Sequence, residues 1–158
     1  MKPLLLRIWR WLPAWLQWRI ARITMQKFLV GVIAVIVDGE GRILLFKHTY
    51  RREYPWALPS GWLKAWESAP RAVEREVREE AGFQIRALRP LIAETADDRP
   101  RVDLVFHCEY LGGEFRPSDE VSEARYFAPD ALPAPLEPFQ RRLITQVMAL
   151  LHASREIH

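Results

Sequence analysis

Hydrophobic spacing along the chain changes character several times. From Phe28 the run FLVGVIAVIV is β-branched and apolar; the turn Asp38-Gly39-Glu40-Gly41 follows, and RILLFKH comes after it. Together they predict a hairpin. The stretch HTYRREYPWALPS predicts a loop. In GWLKAWESAPRAVEREVREEAGF the period lengthens to that of a helix, with Val73 and Val77 as the apolar stripe and Arg71, Glu74 and Arg78 on the far side. Pro70 suits the first turn of that helix, and Gly82 stands where a left-handed cap is expected. Further strands are predicted at residues 88–94, 102–110 and 123–127, with a Gly112-Gly113 turn after the second. From Pro138 to His152, Phe139, Leu143, Ile144, Val147, Leu150 and Leu151 recur at helical spacing. Strands flanked by a central and a terminal helix predict a mixed α/β sandwich.

The central helix carries the chemistry. Glu76, Glu79 and Glu80 are i, i+3 and i+4, so on a helix their side chains fall within an arc of roughly 100°. Three carboxylates on one face repel one another unless something positive sits between them, and a hard divalent cation is the usual answer. A solvated charged face is the alternative. Arg71, Glu74 and Arg78 already provide such a face elsewhere on the wheel, and the acid triplet lies beside the apolar stripe.

Gly61, five residues, Glu67, seven residues, Arg75-Glu76-Val77, one residue, Glu79-Glu80, one residue, Gly82-Phe83 is a spacing that resembles the signature of the Nudix hydrolases. Seven fixed identities at ordinary usage make a chance match on the order of 10⁻⁹ per starting position. The resemblance implies the Nudix fold, an α/β/α sandwich with a mixed β-sheet, over residues 28–158. It also implies cleavage of a phosphoanhydride with Mg²⁺ or Mn²⁺ held by Glu76, Glu79 and Glu80 and the backbone carbonyl of Ser60. By the same resemblance Glu67 and Arg75 pair to brace the loop on the helix, with Gly61 and Gly82 as structural positions, and Glu79, Arg75 and Glu120 count as catalytic. Glu120, in PSDEVSEARYF, is the choice for a distant acid, with Asp119 and Glu123 as competitors. Family members often carry Gly, Glu and Gly where this chain has Ser60, Lys64 and Trp66.

Substrate recognition is less marked. Arg51 and Arg52 are candidates for holding phosphates, and Tyr50, Trp56, Trp62 and Trp66 for stacking on a base; core packing is the competing role for Trp56 and Trp62. His48 and His107 lie in or beside strand-like runs and are expected to be structural. The reaction expected is hydrolysis of a nucleoside diphosphate linked to another group, a nucleotide-derived small molecule. Two alternatives stay open: pyrophosphohydrolysis of (oxidised) nucleoside triphosphates, and a non-catalytic Nudix-fold binding module.

Composition changes this picture in two places. One cysteine, Cys108, among 158 residues excludes an internal disulfide framework and suits a reducing, cytoplasmic compartment. The net charge of +3 is uneven: Lys2, Arg7, Arg10, Arg19, Arg22 and Lys27 all precede the first acid, Asp38. Removing those six leaves −3, so the basic balance does not imply a nucleic-acid partner for the domain. Residues 1–27 also hold Trp9, Trp11, Trp15 and Trp18, and Pro13 divides them or starts a second helical piece. This N-terminal basic, Trp-rich helical extension is too often interrupted by Arg to span a bilayer. It is expected either to lie peripherally at a membrane or to pack on the domain or on a second subunit as a dimer contact.

Overall fold

The computed structural model describes residues 9–96 and 99–155. In chain order its elements are α1 (Ala14–Thr24), β1 (Leu29–Ile36), β2 (Ile43–His48), β3 (Trp56–Ala57) and β4 (Ser60–Trp62). They continue with α2 (Ala69–Ala81), β5 (Gln84–Thr95), β6 (Arg101–Gly112), β7 (Val121–Phe127) and α3 (Pro138–Arg155).

Side chains alternate across a strand, and here both faces of the central strands are buried. Val32, Ala34 and Ile36 of β1 join Leu44 and Phe46 of β2 in one core cluster, which α2 covers with Ala72, Val73, Val77 and Ala81. Ile33 and Val35 join Ile43 and Leu45 in a second, covered by Leu143, Ile144, Val147, Met148 and Leu151 of α3. Each such fully buried aliphatic side chain contributes about 1.5–3 kcal/mol by leaving water. The layers are therefore helix, sheets, helix, as the α/β/α expectation has it.

The expected β1–β2 hairpin does not form. Its turn is present: Asp38 Oδ1 accepts the N–H groups of Glu40 and Arg42 at 3.0 and 2.9 Å, and Val37 bridges Ile43. Beyond that point the strands part into two sheets, ordered β4-β1-β6-β5 and β3-β2-β7. Both edges of β1 are taken, antiparallel by β4 and parallel by β6, so no edge remains for β2.

Three other expectations need adjusting. The loop at residues 48–60 contains β3 and leads into β4, elements of two and three residues that are too short to show a period. Strand β5 starts at Gln84, directly after the helix cap, and not at residue 88. Glu74 does not belong to the solvent face of α2: its Oε1 accepts the Ala87 N–H at 2.9 Å and ties the helix to β5. Pro13 is the N-cap of α1. Expectations for residues 1–8, Lys2 and Arg7 included, lie outside the described residues.

Candidate functional site

Strand β4 pairs with β1 in the register Gly31↔Trp62, Val32↔Gly61 and Ile33↔Ser60, which sets the start of the signature loop against the sheet. From there the chain passes through the tight segment Lys64–Glu67 into α2. Arg75 joins the two ends. Its Nε and Nη2 donate to Glu67 Oε1 and Oε2 at 2.8 and 2.9 Å, a fork-on-fork pair. Nη2 also donates to the Trp62 carbonyl at 3.1 Å, and Nη1 lies 2.8 Å from Glu76 Oε1 and 3.0 Å from Glu79 Oε2. The Arg75 hydrogen bonds hold the Glu67 carboxyl down at about 2, well below the usual carboxylate range. Gly82 closes the helix at φ 76°, its N–H on the Arg78 carbonyl. A Cβ there would fall 2.9 Å from the Glu114 carbonyl oxygen, so glycine suits both its conformation and its space.

A cleft of about 1050 Å³ opens beside this brace. Ser60, Gly61, Trp62, Glu76 and Glu80 line it, and so do Tyr50, Arg51, Arg52 and Glu120. Glu80 is the key group. Its residue is 8% exposed, and its Oε2 is buried with no hydrogen-bond partner. Burial pushes its carboxyl up to about 8, the negative charges of Glu76 and Glu120 add to the shift, and Arg51 opposes it. Glu120 is held in place by backbone: its carbonyl accepts the Thr49 N–H at 2.9 Å, and Thr49 Oγ1 donates to the Asp119 carbonyl at 2.6 Å. Of the three acids weighed for this position, Glu120 alone lines the cleft; Glu123 is occupied by Lys47 and Arg125.

The three helix acids divide. Glu76 and Glu80 face the cleft, whereas the half-exposed Glu79 turns to Arg75, with Lys64 Nζ at 3.9 Å. Among the described residues, no three Asp, Glu, His or Cys side chains are gathered as they stand into one ion-holding group. Glu76 and Glu79 both lean on the same guanidinium, whereas Glu80 makes no such contact. The donor set nevertheless fits a hard cation: an orphaned buried carboxylate oxygen, a second carboxylate beside it, and oxygen chemistry throughout.

The aromatic candidates also divide. Tyr50 and Trp62 line the cleft and are exposed, Trp56 packs edge-on to Phe127 at 4.9 Å, and Trp66 stands fully in solvent. His48 is buried without a hydrogen-bond partner, and Cys108 is buried, its thiol pushed up to about 12 by desolvation.

Sequence reasoning missed the far wall. Asp103, 6% exposed, pairs with Arg101 at 2.8 Å, while Arg101 and Arg142 lie over Phe139 at 6.0 and 5.5 Å. Gly31 stands opposite Asp103 across the parallel β1–β6 pairing, where a Cβ would fall 2.2 Å from Asp103 Oδ1. The signal was present in the sequence: an acid at an inward position of an apolar strand is costly unless paired.

The family model for the NUDIX domain matches residues 27–147. An NAD-capped RNA hydrolase NudC of Pseudomonas aeruginosa is 38% identical over 126 residues, covering 79% of this chain and 44% of that protein. An ADP-ribose pyrophosphatase of Methanocaldococcus jannaschii is 35% identical over 112 residues, 63% of this chain and 64% of that one. Among solved structures, an ADP-ribose pyrophosphatase from Streptococcus suis superposes with a TM-score of 0.68 at 30% identity, covering 84% of this chain and 96% of that one. The chain spans about half the length of the NudC proteins it matches.

Proposed function

The chain belongs to the NUDIX domain family, and from that premise we propose that it is a divalent-metal-dependent pyrophosphohydrolase acting on a nucleoside diphosphate linked to a second group. The observation that carries this reading is the unpartnered, buried carboxylate of Glu80 beside Glu76 and Glu120 in a cleft that also holds Arg51 and Arg52. A cleft of about 1050 Å³ exceeds what a diphosphate alone would fill, which supports a substrate with groups on both sides of the scissile linkage.

In this reading Glu76, Glu79, Glu80 and the Ser60 carbonyl would hold the cation. A bound Mg²⁺ or Mn²⁺ would polarise phosphoryl oxygens, offset their charge and lower the pKa of water. Arg51 and Arg52 bind phosphate oxygens and orient the chain of phosphates along the cleft. Glu120 accepts a proton from the attacking water. Tyr50 and Trp62 offer faces for a base, and the Arg101–Phe139–Arg142 wall bounds the far group. Arg75 does not itself line the cleft and acts as a positioning residue, holding Glu67 and the cleft residues Glu76 and Trp62 in register.

Turnover measurements test this. The panel contains ADP-ribose, a UDP-sugar, NAD, an NAD-capped RNA and nucleoside triphosphates, each with Mg²⁺, Mn²⁺ or chelator. Metal-dependent release of two monophosphate products from a diphosphate-linked substrate is expected. Pyrophosphate released from triphosphates alone would transfer the assignment to that substrate class, and no product under any condition would point to a binding module.

A further inference from the structure

Trp15, Trp18, Arg19, Arg22 and Ile23 occupy positions i, i+3, i+4, i+7 and i+8 of α1 and so share one face of it. That face is turned outward: Trp15 is 64% exposed, Trp18 73% and Ile23 81%, and α1 buries no residue at all. The opposite side, with Leu16, Ile20 and Ala21, is partly covered. There Gln17 Nε2 donates to the carbonyls of Trp9 and Leu12 at 2.9 and 3.0 Å, holding the preceding turn on the helix. Exposed apolar groups continue past the helix through Met25, Phe28 and Leu29 into the first strand. Residues 9–37 carry Arg10, Arg19, Arg22 and Lys27 and no acid.

We propose that this face docks residues 9–29 onto an anionic phospholipid surface. The chemistry selects that occupant. Indole rings favour the headgroup level of a bilayer, guanidinium groups bond lipid phosphates, and Ile23, Met25 and Phe28 reach the acyl boundary. A symmetric contact with a second copy would set Arg19 and Arg22 against their own counterparts, with no acid in the segment to pair them. A nucleic-acid backbone would satisfy the arginines and leave the aliphatic groups in water. No helix among the described residues is long and apolar enough to cross a membrane, so the attachment lies in the surface plane.

Vesicle flotation of the full chain tests the proposal, because floated protein cannot be mistaken for aggregate. The chain should rise with vesicles of phosphatidylcholine mixed with phosphatidylglycerol, far less with phosphatidylcholine alone, and less again in high salt. Trp15→Ala/Trp18→Ala and Arg19→Gln/Arg22→Gln should each weaken partitioning at least about tenfold, since each arginine near an anionic surface counts for several-fold. Neither pair touches the cleft, so their melting temperatures should match the parent chain. Equal flotation of parent and variants, no flotation, or a stable dimer or an oligonucleotide complex in place of vesicle binding would each overturn the proposal.

Discussion

Glu76 stands where a side chain at position 61 would have to go: a Cβ on Gly61 would fall 2.1 Å from Glu76 Cδ and 2.6 Å from its Oε2. The same carboxylate accepts the Trp62 N–H at 3.1 Å and lies 2.8 Å from Arg75. The first glycine of the signature is therefore a space reserved for the first of its three helix acids, some fifteen residues later.

Gly61→Ala should consequently damage function more than folding. Glu76 can swing aside, at a stability cost of about 1–3 kcal/mol, the usual range for overpacking. The swing breaks the bond to Trp62 and withdraws the carboxylate from the cleft. Turnover should fall by orders of magnitude while the denaturation midpoint moves modestly; near-normal turnover would show that Glu76 has no fixed task.

Glu80→Gln should separate stability from activity. The native carboxyl titrates near 8 and an unfolded one near 4.5, so without metal the folded chain keeps a proton that the unfolded chain has lost. Stability from this group therefore declines as pH rises through that window, and removing the charge should stabilise the metal-free chain at pH 8 and above by on the order of 1 kcal/mol. Hydrolysis and calorimetric Mg²⁺ uptake should both collapse. A variant that still takes up the ion normally would remove Glu80 from the ligand set.

His48 has the opposite pH signature. Burial, with help from the Arg51 charge, lowers its imidazole to about 4 from an ordinary 6.5. The unfolded chain binds the extra proton first, so stability is full above about 6.5 and is lost as pH falls toward 4, by up to about 3 kcal/mol. Chemical denaturation across that range should show the slope in the parent chain and a flatter one in His48→Leu; identical slopes would assign the acid sensitivity to other groups.

Trp66 holds φ at 68°, the left-handed region, with its ring wholly in solvent. Left-handed geometry costs an L-residue about 1–2 kcal/mol, partly offset in a glycine by its greater unfolded freedom. Trp66→Gly should raise stability by about 0.5–1 kcal/mol, seen as a rise of about 1–4 °C in Tm. A drop in Tm would mean that the indole makes a contact in solution that outweighs the strain.

The position of Trp66 also shows how far a sequence can be read. That family members often carry glycine there was visible; that this chain keeps the left-handed backbone without the glycine was not, because φ is decided by how the loop must close between β4 and α2. The helix and its Gly82 cap were legible because each depends on residues within a few turns of one another, and the Glu67–Arg75 pair came from the resemblance. Glu120 was singled out through the resemblance from a short acidic run, and its place in the cleft lining depends on a backbone tie to Thr49, far away in sequence.

What the amino-acid order determined by itself was local: periodicity, caps, and a spacing of acids that only a helix brings to one face. Tertiary structure decided which groups share a solvent-excluded space. It parted β1 from β2, buried Glu80 without a partner, and built the cleft's far wall from Arg101, Asp103 and Phe139, residues remote from the signature. Burial is the reason. A carboxylate's charge, and hence its chemistry, depends on the water removed around it, and that removal is the work of chain segments far away in sequence.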